Sequence, residues 1–312
     1  MVRLKSEVAT SKLSDADEIL LTFTKMQALG NDFVVIREED LNNWLCGNFG
    51  HDAPGLSELA RKLCHRNFGI GADGLILVST NSASCDVSWV FLNNDGSSSL
   101  MCGNGLRCLS LWCVLNGAVR QQAFTVETGK GPVKVFFKDA DHITTDLGEP
   151  ILQSALIPVS GSSHGKVVAY ELALSTRTVT VTCVGMGNPH CLIFEPNFPQ
   201  TEFAQVAGEI QRHPFFPQGV NVSFVTSYDR ASANVVVWER GCGPTLACAS
   251  AAAAVLVAGV LENRLERQAT INLPGGALQI EWRQSDNCIH ISGPARVSFV
   301  GTVAKTAMEA WQ

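Results

Sequence analysis

Cys102 and Cys248 each stand where a glycine-bearing loop gives way to an apolar run, one in each half of the chain. The first lies in Met101-Cys102-Gly103-Asn104-Gly105, the second in Glu239-Arg240-Gly241-Cys242-Gly243-Pro244-Thr245-Leu246-Ala247-Cys248. A helix that starts at such a point presents unpaired N–H groups and the positive end of its macrodipole. That setting favours thiolate over thiol and pulls a cysteine below its free pKa of roughly 8.5. One such residue suggests a nucleophile. Two in similar contexts, far apart in sequence, suggest two proton carriers facing a common point. Glu239-Arg240 adds charge beside the second cysteine: Arg can hold a carboxylate bidentately, and Glu can accept from an ammonium or orient a thiol.

These residues need a scaffold, and the pattern around them supplies one. From Leu21 onward, short β-branched and apolar runs alternate with Gly/Asn/Asp turns. Strands are expected at Phe33–Ile36, Leu75–Val78, Val87–Leu92, Val133–Phe137, Thr178–Val184, Val222–Val225, Asn234–Glu239, Thr270–Leu273 and Leu278–Trp282. Helices are expected at Ser57–His65, Asn104–Leu115, Thr201–Gln211 and Thr245–Leu261. Many strands with few helices indicate an α+β fold. The halves echo one another: strand, glycine loop, Cys, apolar helix occurs twice, with Asn116-Gly117 a C-terminal stop for the first helix. Such repetition suggests two similar domains with a cleft between them, holding the helix starts opposite each other. Residues 146–165 form the natural crossover. The expected division is a loose extension over 1–20, an N-terminal domain of 21–145 plus about 296–312, and a C-terminal domain of 146–295.

Composition narrows the function classes. With 46% hydrophobic and 17% charged residues, the 312-residue chain reads as compact and well ordered. Its net charge of −6 and lack of long basic runs argue against nucleic acid as a partner. The longest apolar stretch, Leu246 to Leu261, is about four residues short of a membrane span, so it reads as a helix buried on all sides. Eleven cysteines form no CxxC pair and no zinc spacing, so no metal is expected. Absence of a secretory signal before Phe23 points to a reduced, cytoplasmic protein.

Eight short motifs then fall in one order. They are Lys25-Met26-x-x-Leu29-Gly30-Asn31-Asp32-Phe33, Gly69-Ile70-Gly71-Ala72-Asp73-Gly74, Asn93-x-Asp95-Gly96-Ser97, and Met101-Cys102-Gly103-Asn104-Gly105-x-Arg107-Cys108. Met186-Gly187-Asn188-Pro189-His190, Val220-Asn221-Val222, Glu239-Arg240-Gly241-x-Gly243 and Ala247-Cys248 follow. From about Phe23 to Gly301 the chain closely resembles the diaminopimelate epimerase family. The resemblance implies two pseudo-symmetric α+β domains, each a mainly antiparallel sheet wrapped around a central helix, with a cofactor-free site between them. It implies inversion of an α-carbon of LL-diaminopimelate without pyridoxal phosphate, in lysine and cell-wall precursor biosynthesis. Inversion needs one group to remove a proton from one face and another to deliver one to the opposite face. By resemblance Cys102 and Cys248 are that pair, with Gly103, Asn104, Ala249 and Ser250 cradling the α-carboxylate. Arg240, Asn93, Asn188 and Asn221 would hold the distal end, with Asn31 and Glu239 completing the polar ring. Read alone, each of the four asparagines serves equally well as a turn residue. His190 reads either as a buried core histidine or as an auxiliary to the thiols. The partner implied is a small amino acid; a homodimer stays open.

Around Cys248 the chain departs from the family's pattern. Pro244, Ala249 and Ala251 stand where the family usually has Glu, Gly and Gly. If position 249 needs a positive φ, alanine strains the loop by roughly 1 kcal/mol or more. The departures leave two alternatives: a racemase of another amino acid with the same mechanism, or a catalytically weak paralogue that binds a ligand.

Overall fold

The computed structural model describes residues 19–160 and 165–306. All but the last two residues of the expected N-terminal extension therefore lie outside the described residues, as do 307–312 of the expected first domain and part of the crossover.

The first half runs β1 (Leu21–Ala28), β2 (Asn31–Arg37), α1 (Glu38–Phe49), α2 (Leu56–Cys64), β3 (Gly74–Ser79), β4 (Val87–Asn93), α3 (Gly103–Leu115), β5 (Ala123–Thr128), β6 (Gly131–Asp139) and β7 (His142–Asp146). The second runs β8 (Tyr170–Ala173), β9 (Thr178–Gly185), β10 (Pro189–Phe194), α4 (Phe203–Gln211), β11 (Asn221–Tyr228), β12 (Ser232–Glu239), β13 (Gly243–Thr245), α5 (Ala249–Leu261), β14 (Gln268–Leu273), β15 (Gly276–Trp282) and β16 (Ile289–Gly293). Finally β17 (Arg296–Val303) returns to pair with β1.

Strand pairing exposes the repeat. In the order β17-β1-β2-β3-β4-β5-β6-β7, the pairs β2–β3 and β4–β5 are parallel and the others antiparallel. In the order β8-β9-β10-β11-β12-β14-β15-β16, the pairs β10–β11 and β12–β14 are parallel and the others antiparallel. Each parallel pair needs a crossover, and a helix supplies it in the same place in both halves: α1 and α2 or α4 for one, α3 or α5 for the other. The halves are joined edge to edge where β7 pairs antiparallel with β16.

Each half has two cores. One surrounds α3 with Phe33, Trp89, Phe124 and Val135, and its counterpart surrounds α5 with Val235, Val237, Ile271 and Ile280. The others lie beneath α1 and α2 and beneath α4. Ten of the thirteen residues of α3 and ten of the thirteen of α5 are buried, so both are enclosed by their sheets. Among the described residues no helix is long and apolar enough to cross a membrane.

Two local expectations change. Residues 38–49 form a helix the pattern did not reveal, because only Leu41 and Trp44 of its twelve residues are buried and give little periodicity. The second central helix starts at Ala249 rather than Thr245, because Gly243–Thr245 forms a short strand that folds back on β12, with Thr245 opposite Val237.

Candidate active site

Both cysteines cap the N-terminus of a central helix in extended conformation: φ −147° and ψ 110° for Cys102, φ −132° and ψ 110° for Cys248. The two starts abut. A Cβ built on Gly103 would lie 2.9 Å from the Ala249 Cβ, so one α-carbon without a side chain lets the helices approach. Asn104 Nδ2 donates to the carbonyl of Ala247, the residue before Cys248, at 3.3 Å. Two helix N-termini thus meet from the two halves, a setting suited to an anion.

The thiols are held differently. Cys102 is half-buried, and its Sγ accepts from the Gly105 N–H at 3.3 Å. Burial nevertheless pushes its pKa up to about 11, against the pull of that N–H and of the Arg107 guanidinium. Cys248 is buried, makes no capping bond to the helix and lies 3.4 Å from the Ser250 hydroxyl. Burial and the Glu239 carboxylate push it well above the usual thiol range. The helix starts were expected to lower both values; loss of water outweighs a half-charge on the macrodipole.

On the first half, Asn31 sits between partners: its Nδ2 donates to Asp73 Oδ2 at 2.7 Å and its Oδ1 accepts from Asn104 Nδ2 at 3.1 Å. Asp73 and Asp32 share Arg66, and Asp32 also pairs with Lys25 at 2.6 Å. Burial works against the charge on Asp32, yet Arg66 and Lys25 hold its carboxyl down at about 2. Asn93 ends β4, with its Nδ2 donating to Ser97 Oγ at 2.9 Å.

The second half repeats this frame with other side chains. Gly30-Asn31 enters β2 and Gly187-Asn188 enters β10, with glycine φ of +84° and +89° that a side chain would resist. Where Asn31 leans on Asp73, the Asn188 Oδ1 lies 2.8 Å from His190 Nε2. His190 is fully buried, and burial with the nearby Arg240 charge depresses it to about 3, so the ring is neutral. It pairs across the sheet with Asn221, whose Oδ1 accepts from the Arg240 N–H at 2.8 Å. Glu239 accepts from the Thr245 hydroxyl at 2.7 Å, which fixes it at the mouth of the Cys248 turn. Arg240 is exposed, and its Nη1 donates to the Gln218 carbonyl at 2.6 Å. Asn93 and Arg240 thus bond within their own halves and are not brought into contact with the cysteines.

Ala249 takes the first helical position and is not among the residues with positive φ, so the strain feared there is absent. Its methyl faces Gly103, and Pro244 lies in β13 opposite Trp238. Asp73, Thr245 and Arg107 are polar groups of this site that the pattern did not single out. A charged residue inside an otherwise apolar helix was the available signal for Arg107.

A family model described as diaminopimelate epimerase matches residues 23–153 and 182–298. The chain is 40% identical to the diaminopimelate epimerase of Desulfitobacterium hafniense over 292 residues, covering 92% of this chain and 100% of the relative. It is 38% identical to that of Picosynechococcus sp., over 91% of this chain and 99% of the relative. A chloroplastic diaminopimelate epimerase of Oryza sativa subsp. japonica is also 38% identical, over 91% and 80%. Among solved structures, a hydroxyproline epimerase from Agrobacterium vitis superposes with a TM-score of 0.62 at 15% identity, covering 92% of this chain and 93% of that one. A probable proline racemase from Agrobacterium radiobacter gives 0.63 at 14% identity, over 92% and 95%. At such identities these two establish the shared fold.

Proposed function

The chain belongs to the diaminopimelate epimerase family and is an isomerase, and from that premise we propose that Cys102 and Cys248 carry its epimerisation of LL- to meso-diaminopimelate. The observation that supports this reading is the meeting of two cysteine-capped helix starts, one from each half. One thiolate takes the α-proton while the opposite thiol delivers its own to the other face, and the roles exchange with direction. Negative charge developing on the carbon spreads into the α-carboxylate, which lies against the N–H groups of Gly103, Asn104, Ala249 and Ser250. Asn31 and neutral His190 hold neighbouring amides in place. Asn93, Asn188, Asn221 and Arg240 receive the distal ammonium and carboxylate, for which Arg240 must leave the Gln218 carbonyl. Glu239 keeps Cys248 protonated until the substrate's positive charge offsets its own.

In this reading the halves are the two domains, 21–145 with about 296–312 and 146–295. The cytoplasm, whose reducing conditions keep both sulfurs as thiols, fits the chemistry. The test is deuterium incorporation at the α-carbon from LL- and meso-diaminopimelate in heavy water, beside a panel of other amino acids. Exchange on both stereoisomers is expected; none on either sinks the substrate assignment. Because Arg240 is engaged with Gln218, a monocarboxylic amino acid is the second reading, and exchange confined to such a substrate would promote it.

A further inference from the structure

Arg107 is the charged residue hardest to explain as scaffold. It is fully buried, within two turns of the N-terminus of α3. Burial of a cation is costly, and the positive end of the helix adds to the penalty. Its three bonds all go to neutral oxygens: Nη2 to Asn104 Oδ1 at 2.6 Å, Nη1 to the Gly103 carbonyl at 3.3 Å, and Nε to the Pro294 carbonyl at 3.2 Å. Among the described residues no carboxylate pairs with it; the groups that act on its charge are the thiols of Cys102 and Cys108. Room for the fork comes from Gly293, where a Cβ would stand 3.4 Å from Nε. Five residues beyond Cys248, at the matching place in α5, the chain has Ala253.

We infer that Arg107 is a positioning residue that locks the Asn104 amide across the helix junction and supplies the positive charge behind Cys102. By taking Asn104 Oδ1, the guanidinium turns Nδ2 toward Asn31 Oδ1 and the Ala247 carbonyl, so one fork orients a contact between the halves. Burial lowers Arg107 to about 10, which leaves it charged at neutral pH. Cys102 thus has a cation on its own helix and the Glu239 carboxylate across the cleft, whereas Cys108 behind it is influenced by Arg107, Cys102 and Asp32. The neutral acceptors leave the cation free to favour a thiolate at Cys102 and a carboxylate above it.

The inference rests on the proposed role of Cys102, and the two fail separately. In the full chain, Arg107→Gln and Arg107→Lys are compared with the parent by site-resolved alkylation with iodoacetamide near pH 8.5, alongside kcat and KM for LL-diaminopimelate. Arg107→Gln is expected to slow alkylation of Cys102 about ten-fold, one unit of thiol pKa, while Cys248 changes less than about two-fold. Its kcat falls about 10²-fold with KM within about three-fold, since the residue does not touch substrate. Arg107→Lys keeps the charge and loses the fork, so alkylation of Cys102 stays within about three-fold while kcat still falls. A folded Arg107→Gln with parental Cys102 reactivity overturns the inference, as does equal slowing at both cysteines. If Arg107→Gln does not fold, Arg107→Lys decides: ten-fold slower alkylation with the charge retained overturns it. Full epimerase activity in Cys102→Ser instead overturns the role of Cys102 itself.

Discussion

The starts of α3 and α5 occupy equivalent places in two copies of one strand order, yet they hold their cysteines in unlike fields. At Cys102 a backbone N–H and a buried guanidinium oppose the effect of burial. At Cys248 the Glu239 carboxylate reinforces it, against the Ser250 hydroxyl and the Ala251 N–H. The same backbone frame therefore raises both thiols, Cys248 further than Cys102. A coupled pair gives up its protons in two steps, and the inequality decides which sulfur keeps the proton between them. The lesson is that repetition supplies geometry while side chains around each copy supply polarity.

The most severe way to break the comparison is to remove either sulfur. Cys102→Ser and Cys248→Ser are each expected to lower kcat by at least about 10³-fold with folding intact, measured by deuterium exchange and circular dichroism. A large loss in only one variant would mean that the helix starts do not work as a pair. Next comes the contact between them. Gly103→Ala forces a methyl against Ala249 and should destabilise the fold by about 1–3 kcal/mol and depress activity. Adding Ala249→Gly to that variant should recover most of both. If the double variant is no better in thermal unfolding or rate, the helices do not press on each other there.

A subtler change sharpens the inequality of the fields. Glu239→Gln removes a negative neighbour, so the Cys248 pKa falls and alkylation of Cys248 should quicken more than that of Cys102. Equal changes would erase the asymmetry claimed here. The smallest effect concerns the frame. His190 is depressed from 6.5 to about 3 in the fold, so between those values the unfolded chain binds the extra proton. Its contribution to stability is complete above pH 6.5 and is lost as pH falls toward 3, by about 2 kcal/mol or less between pH 6.5 and 5. Urea titrations across that range should show the loss, and His190→Asn should flatten it.

Much of this was legible in the residues. The β-branched runs placed nine strands but not β1, β5, β7, β8, β10, β13, β16 or β17. Glycine loops before apolar runs placed both central helices, because turn, strand and cap preferences act over a few positions. Weaker signals failed for identifiable reasons. The helix Glu38–Phe49 buries too few side chains to show a period. The start of α5 is displaced because pairing of Thr245 with Val237 depends on a neighbour strand rather than on local preference. The effect on the thiols was misjudged in sign, since a helix dipole can be read along the chain and burial cannot.

By itself the sequence determined the repeated run of strand, glycine loop and apolar helix, and a cysteine at each central helix start. These follow from backbone geometry within a turn or two of each residue. Only the tertiary structure decided that β7 and β16 join the halves, that Gly103 meets Ala249, and that Arg107 and Glu239 give the two sulfurs unlike surroundings. Those depend on distance and on exclusion of water, which residues 146 apart in the chain acquire only when it folds.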